Sequence, residues 1–380
     1  MSAANTVSMR EAFGQSLVAL AGKYPAMMVL DADVSASTKT GAFAKAYPDR
    51  FFNVGVAEAN MADIAAGLAT AGLRPVINSF SLFLALKCAD QIRNTICYNN
   101  LPVILAGAYG GLSDSYDGAS HQAILDVGML RGLPNMVVIV PADAAETKQA
   151  LKLALRRNGP TFIRGCRNET PILFEDAEPF QIGKARKLRD GKDLTIAACG
   201  VPVVMAMEAA EQLAKVGISV DLLAVATVKP IDAPALAASA RKTGAVLSVE
   251  EHNIVGGFGG AVAEALAKHA PTKMDFIGVQ DRFTESGAYD ALMKKYGISV
   301  EAIVAKAKAL VAAKPKAPKA APAAAPGRKA VAKTVVNRKV VATKSVAKKA
   351  VAKKPAAKKV AAKKVVRKKA VAKRPVRKAR

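Results

Sequence analysis

Short apolar runs alternate with longer helix-like stretches from Met27 to Val279, and this alternation restricts the chain to one class of architecture. The runs Met27–Leu30, Phe51–Val56, Pro75–Ser79, Val103–Ala106, Val137–Val140 and Thr161–Arg164 have the length of strands. Between them lie stretches such as 59–71 and 143–156, the second with Asp143 placed as its cap. A second set follows, Leu194–Cys199, Val220–Val225, Ala245–Glu250 and Asp275–Val279, with helices near 202–216, 233–243 and 260–269. Apolar strands separated by helices belong in parallel sheets with both faces covered, because each crossover helix lies over the sheet it rejoins. The expected fold class is α/β, in two three-layer domains with mainly parallel sheets. Ser8 to Glu11 reads as a capping box opening the first helix, and the stretch 169–190, rich in Pro, Asp, Glu and Lys, reads as a linker. Domains are therefore expected at 1–168 and 191–311.

Of the net charge of +26, all but one unit lies in the remainder. From Ala312 to Arg380 there are 25 Lys or Arg and no acid, which leaves 31 basic and 30 acidic residues before it. The stretch 312–380 is almost wholly Ala, Lys, Val, Pro and Arg, lacks aromatic residues and cannot bury a core, so it reads as a disordered basic tail. In composition it resembles the C-terminal tails of linker histones. Closely spaced cations attract polyanions through counterion release without reading sequence, so non-specific nucleic-acid binding by the tail is expected, against the plainer reading of a solvated extension. No apolar run reaches the roughly 18 residues that would span a membrane. The start lacks a basic-then-apolar signal segment, and Cys88, Cys97, Cys166 and Cys199 lack metal spacing; a cytoplasmic protein with reduced thiols is expected.

Two segments have chemical character. Asn53-Val-Gly-Val-Ala-Glu58 places a carboxylate at a strand-to-helix turn, and Asp117-Gly-Ala-Ser-His121-Gln places a histidine and a carboxylate on a later turn. Both follow expected strands, and the carboxyl ends of parallel strands are where ligands gather.

Phe52-Asn-Val-Gly-Val-Ala-Glu58-Ala-Asn-Met-Ala is similar to the transketolase segment holding the cofactor-activating glutamate. Asp117-Gly-Ala-Ser-His121-Gln resembles the substrate loop of that family, and Glu250-Glu-His-Asn-Ile-Val-Gly-Gly its C-terminal domain. The match runs in family order through nearly all of 8–311. It implies a pyrimidine-binding domain followed by a transketolase C-terminal domain. A complete transketolase has a preceding domain that grips thiamine diphosphate with a Gly-Asp-Gly stretch and a magnesium ion, and no Gly-Asp-Gly occurs here. The chain is thus similar to the C-terminal subunit of a split transketolase. That implies thiamine diphosphate shared with a partner subunit, Mg2+ held by the partner, self-association into an α2β2-like assembly, and transfer of a two-carbon ketol unit from a ketose or ketose phosphate to an aldose.

By the same resemblance Glu58 bonds the aminopyrimidine nitrogen, Phe80 and Phe83 line the pyrimidine pocket, and Asp33 lies near the thiazolium. Asp117 and His121 contact substrate hydroxyls, while Ser37 and Arg167 grip phosphate, with Arg164 as a second candidate. Tyr109 stands where many transketolases keep a phosphate-contacting histidine, and Tyr116 replaces an acidic residue. A phenol brings no positive charge at neutral pH, so an unusual ketose, branched or sulfonated, is plausible. Read without the resemblance, the phenylalanines are ordinary core residues and a lone loop histidine is structural. Alternatives are the β subunit of another thiamine-dependent enzyme, of the 2-oxo acid dehydrogenase or deoxyxylulose phosphate synthase type, or a nucleic-acid-binding protein. Gly256-Gly-Phe-Gly-Gly260 imitates a phosphate loop but reads as close packing, and Glu250, Glu251 and His252 do not read as a metal site, because adjacent residues point to different sides.

Overall fold

Successive side chains of a strand point to opposite faces, so a strand apolar throughout must contribute to two cores. The computed structural model, which describes residues 6–175 and 180–314, is built on that rule. Its strands are β1 (Thr6–Ser8), β2 (Met27–Asp31), β3 (Phe51–Asn53), β4 (Arg74–Phe80), β5 (Ile104–Ala108), β6 (Val137–Ile139), β7 (Thr161–Arg164), β8 (Glu169–Pro171), β9 (Arg186–Arg189), β10 (Leu194–Ala198), β11 (Val220–Ala224), β12 (Thr227–Lys229), β13 (Ala245–Asn253) and β14 (Lys273–Val279). The first sheet has the order β12-β6-β7-β5-β4-β2-β3 and is parallel except for β12. The second has the order β14-β13-β10-β11-β9 and is parallel except for β9. β1 and β8 form a small antiparallel pair.

On one side of the first sheet, Val29, Val76, Ile104 and Ile163 pack with Phe13 and Leu17 of the helix Met9–Ala21 and with Leu151 of the helix Ala144–Ala154. On the other side, Leu30, Ile77, Leu105 and Phe162 join a core that also takes Ala197, Leu223 and Val246 from the second sheet. The far face of the second sheet, with Ile196, Leu222 and Leu247, closes against the helices Pro202–Lys215 and Val300–Ala312. The expected α/β class with mainly parallel sheets is therefore observed. None of the described helices is long and apolar enough to cross a membrane.

Three details depart from the sequence reading. The stretch 169–190 carries strands at 169–171 and 186–189, and β9 is hydrogen-bonded into the second sheet. The antiparallel strand β12, which follows β11, leaves its own sheet to complete the first one beside β6. Ser8 caps the first helix by accepting from the Glu11 N–H at 3.3 Å, but the Glu11 carboxylate pairs with Lys39 at 2.8 Å, so the capping box is only half made. The capping role of Asp143 holds, its carboxylate accepting from Glu146 N–H at 2.8 Å. Beyond Lys314 the stretch read as a basic tail lies outside the described residues.

Between the two halves sits a buried ionic cluster. Arg164, at the end of β7, donates to Asp126 at 2.8 Å and to the carbonyls of Ala123 and Glu251. Glu251, in β13, accepts from Leu112 N–H at 2.7 Å and from the Tyr289 hydroxyl at 3.1 Å. Burial, opposed by Arg164, pushes the Glu251 carboxyl up to about 7. Because the folded form holds its proton more tightly than the unfolded chain does, folding takes up a proton between about pH 4.5 and 7, and stability falls as pH rises through that window. Glu251→Gln keeps the shape and removes the titration. Urea midpoints measured across this range should show a flatter pH profile for the variant than for the wild type, and parallel profiles would exclude the assignment.

Candidate active site

The carboxyl ends of the parallel strands of the first sheet converge on one rim. After β2 the chain turns through Asp33, a residue at φ +64°, and Asp31 fixes this turn by accepting from Val34 N–H and from the Thr38 and Thr40 hydroxyls. After β3, Gly55 at φ +72° redirects the chain so that the helix Glu58–Thr70 begins at once, which is why the run read as a strand to Val56 ends at Asn53. Asn53 ties the two turns together, donating to Asp33 at 2.8 Å and accepting from Gly55 N–H at 3.0 Å.

Glu58 is the first residue of its helix and 4% exposed, and the partial positive charge of a helix start favours a carboxylate there. It accepts from the Lys87 ammonium at 3.0 and 3.2 Å and from the Ser79 hydroxyl at 3.3 Å. Lys87 ends the helix Ser81–Lys87, and its nitrogen also lies 3.9 Å from the centre of the Phe83 ring, one helical turn earlier. One cation therefore bridges the two groups that the sequence assigns to a pyrimidine.

The aromatic groups form a contiguous wall. Phe83 lies 5.0 Å from the His121 ring and 5.6 Å from Phe80 between centroids, and Phe80 stacks on Tyr109 at 4.7 Å with planes 13° apart. Phe80 and Phe83 are half-buried, whereas a core phenylalanine would be sealed from solvent. His121 is half-buried, with Nδ1 2.9 Å from the Ser120 hydroxyl.

Beyond Phe80 lies a charged end. The Tyr109 ring has guanidinium groups of Arg10 and Arg167 at 4.9 and 5.0 Å, and Arg10 donates to the Tyr109 oxygen at 2.9 Å. Arg10 also donates to the Ser37 carbonyl at 2.8 Å and the Arg167 carbonyl at 3.1 Å, so one side chain gathers Ser37, Tyr109 and Arg167. Arg167 pairs with buried Asp114 at 2.9 Å and approaches exposed Asp117 to 3.9 Å. Burial and the neighbouring Asp117 push the Asp114 carboxyl up to about 7, with Arg167 opposing. Tyr116 is exposed.

Glu58, Phe80, Phe83, Tyr109, His121, Ser37, Arg167 and Asp117 thus form one continuous chain of contacts through Lys87 and Arg10. Asp33 stands at its margin, in contact with Asn53. Arg164 does not join: it is 5% exposed and committed to Asp126, which removes it as a phosphate candidate. Adjacent Glu250 and Glu251 diverge as strand geometry requires. Glu250 accepts from Phe258 and Gly259 N–H at 2.7 and 2.8 Å, so the helix start that imitates a phosphate loop is already filled by a carboxylate of the chain itself. His252 accepts from Gly128 N–H through Nε2 at 3.2 Å, and its Nδ1 lies 2.7 Å from the Asn253 carbonyl. Among the described residues no cluster of His, Cys, Asp and Glu is suited to a metal ion.

Lys87 and Arg10 were not singled out from sequence. Lys87 stands four residues after Phe83, a spacing that shares a helix face and could have marked it. Arg10 carries no such sign, since its partners are 27, 99 and 157 residues away.

Residues 5–172 match the family model for the transketolase pyrimidine binding domain, and residues 183–303 that for the transketolase C-terminal domain. A putative transketolase C-terminal section of Methanocaldococcus jannaschii is 44% identical over 298 residues, covering 78% of this chain and 93% of that protein. The 6-deoxy-6-sulfo-D-fructose transketolase subunit SqwH of Clostridium sp. is 38% identical over 296 residues, covering 78% and 92%. Several 1-deoxy-D-xylulose-5-phosphate synthases also match, such as that of Desulforudis audaxviator at 38%, and the chain spans 47% of its length. Among solved structures, a split gene transketolase described as an inactive beta4 tetramer superposes with a TM-score of 0.75 at 44% identity, over 81% of this chain and 99% of that one.

The Glu58 and Lys87 contact makes a simple test. In a double-mutant cycle with Glu58→Gln and Lys87→Met, urea unfolding should give a coupling of about 1 kcal/mol, modest because the lysine is partly exposed. Additive effects would mean that the two side chains do not meet in solution.

Proposed function

The chain belongs to the transketolase family, and from that premise we propose that it is the pyrimidine-binding subunit of a thiamine diphosphate-dependent transketolase that moves a two-carbon ketol unit from a ketose to an aldose. The observation that carries this reading is Glu58, a carboxylate buried at a helix start beside a half-open aromatic wall. Such a carboxylate can share a proton with a weakly basic ring nitrogen, because water does not compete for it. Phe80 and Phe83 offer flat apolar faces to a flat ring. The residues present therefore fit the pyrimidine half of the cofactor. Bound there, thiamine diphosphate supplies the carbon that carries the two-carbon unit, while a companion subunit holds the diphosphate and Mg2+ in an α2β2-like assembly.

The roles of the other side chains follow from their chemistry. Lys87, 44% exposed, neutralises Glu58 until a ring takes its place and has solvent into which to withdraw. His121, against Phe83, can donate or accept a hydrogen bond at a sugar hydroxyl, and Asp117 can accept from a neighbouring hydroxyl. Arg10 and Arg167 flank Tyr109 and supply the positive charge that its phenol lacks. With Ser37 beside them, these guanidinium groups suit an anionic group at the far end of the sugar, phosphate or sulfonate, since the planar fork matches such oxygens.

Reconstitution with a companion subunit carrying the diphosphate site tests the proposal. The pair should transfer a ketol unit from ketose to aldose, and Glu58→Gln should lower turnover by about 100-fold or more while the chain stays folded. Near-normal rates would remove Glu58 from the chemistry. Release of carbon dioxide from pyruvate would assign the pair to the deoxyxylulose phosphate synthase or 2-oxo acid dehydrogenase type instead.

A further inference from the structure

The turn that carries Asp117 and His121 lies in the first half of the chain, yet four of the bonds that fix its loop come from the second. Glu251 accepts from Leu112 N–H at 2.7 Å, Gly287 N–H donates to the Ser115 carbonyl at 3.0 Å, the Gln122 side chain donates to the Glu285 carbonyl at 3.0 Å, and Asn253 N–H donates to the Ile124 carbonyl at 2.9 Å. Gln122 is the junction. It is 1% exposed, and its amide nitrogen also faces the Ser115 carbonyl at 3.3 Å. Two carbonyl oxygens around one amide group leave no choice about its orientation: the nitrogen must face them. The side chain next to His121 thus ties both ends of the turn to the segment Thr284–Gly287.

The contact is also tight. Gly118, inside the turn at φ +77°, faces Ser286 directly: a Cβ there would lie 2.4 Å from the Ser286 hydroxyl, which would have to turn away, and 3.3 Å from the Ser286 backbone nitrogen. Thr284, at the root of the segment, is buried.

We propose that Gln122 is a positioning residue, which clamps the turn Asp117–His121 against Thr284–Gly287 so that both polar side chains are presented to the sugar at a fixed spacing. Resting on the ketol-transfer reading above, this makes the C-terminal domain a working wall of the substrate site. The Gln122 side chain bonds to the carbonyls of Ser115 and Glu285 and to no group of the pyrimidine pocket, so its removal acts first on sugar recognition.

The test uses the full chain. Gln122→Met keeps the volume and removes both donors. By hydrogen exchange, the amides of 113–122 and of 284–288 should lose protection together, by about tenfold or more, with the rest of the chain unchanged. With the companion subunit present, the KM for the ketose should rise by about tenfold or more, because a small displacement of a positioning group is costly, while the affinity for thiamine diphosphate stays at the wild-type value. Gly118→Ala should have the same effect, and adding Ser286→Gly should restore part of it, which backbone strain at position 118 alone would not allow. Unchanged protection of 284–288 in Gln122→Met overturns the clamp, as does a loosened pair of segments with an unchanged ketose KM. Should the wild-type pair transfer no ketol unit at all, the functional reading fails by itself, and the exchange data still decide whether the clamp exists.

Discussion

Everything in this molecule depends on the requirement that both faces of both sheets be covered. A strand such as β10 sends Ala197 to one core and Ile196 to another, and neither residue has a route to water. The shared core between the sheets is filled from both halves of the chain, and it holds the two sets of strand ends in a constant relation. The rim where Glu58, Phe83 and His121 meet is a by-product of that packing, because parallel strands all end on the same side.

Charge placement follows the same economy. Each carboxylate taken out of water near the rim has an identifiable partner: Lys87 for Glu58, Arg167 for Asp114, Arg164 for Asp126, and two backbone N–H groups for Glu250. A desolvated carboxylate without such help would take up a proton, and the upward displacement of Asp114, and of Glu251 in the cluster around Arg164, brings both close to doing so at neutral pH. Glu58 differs in that its cation comes from a side chain that is partly in solvent. Its partner can be exchanged, whereas Arg164 cannot leave Asp126 without stranding a charge in the interior.

Much of the fold was legible in the sequence because the signals for it are local. Strands β2, β7 and β10 announce themselves as short apolar runs, and Asp143 as a cap needs only its immediate neighbours. β12 could not be read in that way. Its three residues look like the continuation of β11, and only the vacant position beside β6, contributed by a distant part of the chain, makes them a strand of the other sheet. The edge strand β9, Arg186–Arg189, is basic and only partly buried, so no apolar run marks it. At the rim, the residues tied to a turn motif were visible, while Arg10 was not, because its role exists only once three remote segments have been brought around it. The Gln122 junction was hidden for a similar reason, since its acceptor is a backbone carbonyl and backbone groups leave no signature in composition.

The crossing of β12 has a consequence for how the chain can be divided. The two halves look like independent modules, and a proteolytic fragment or shortened gene product ending before Thr227 would retain all six parallel strands of the first sheet. It would also bare the outer N–H and C=O groups of β6, a ready template for another molecule's backbone. Such a piece would tend to self-associate through that edge, so the second half shields the first from its own open strand.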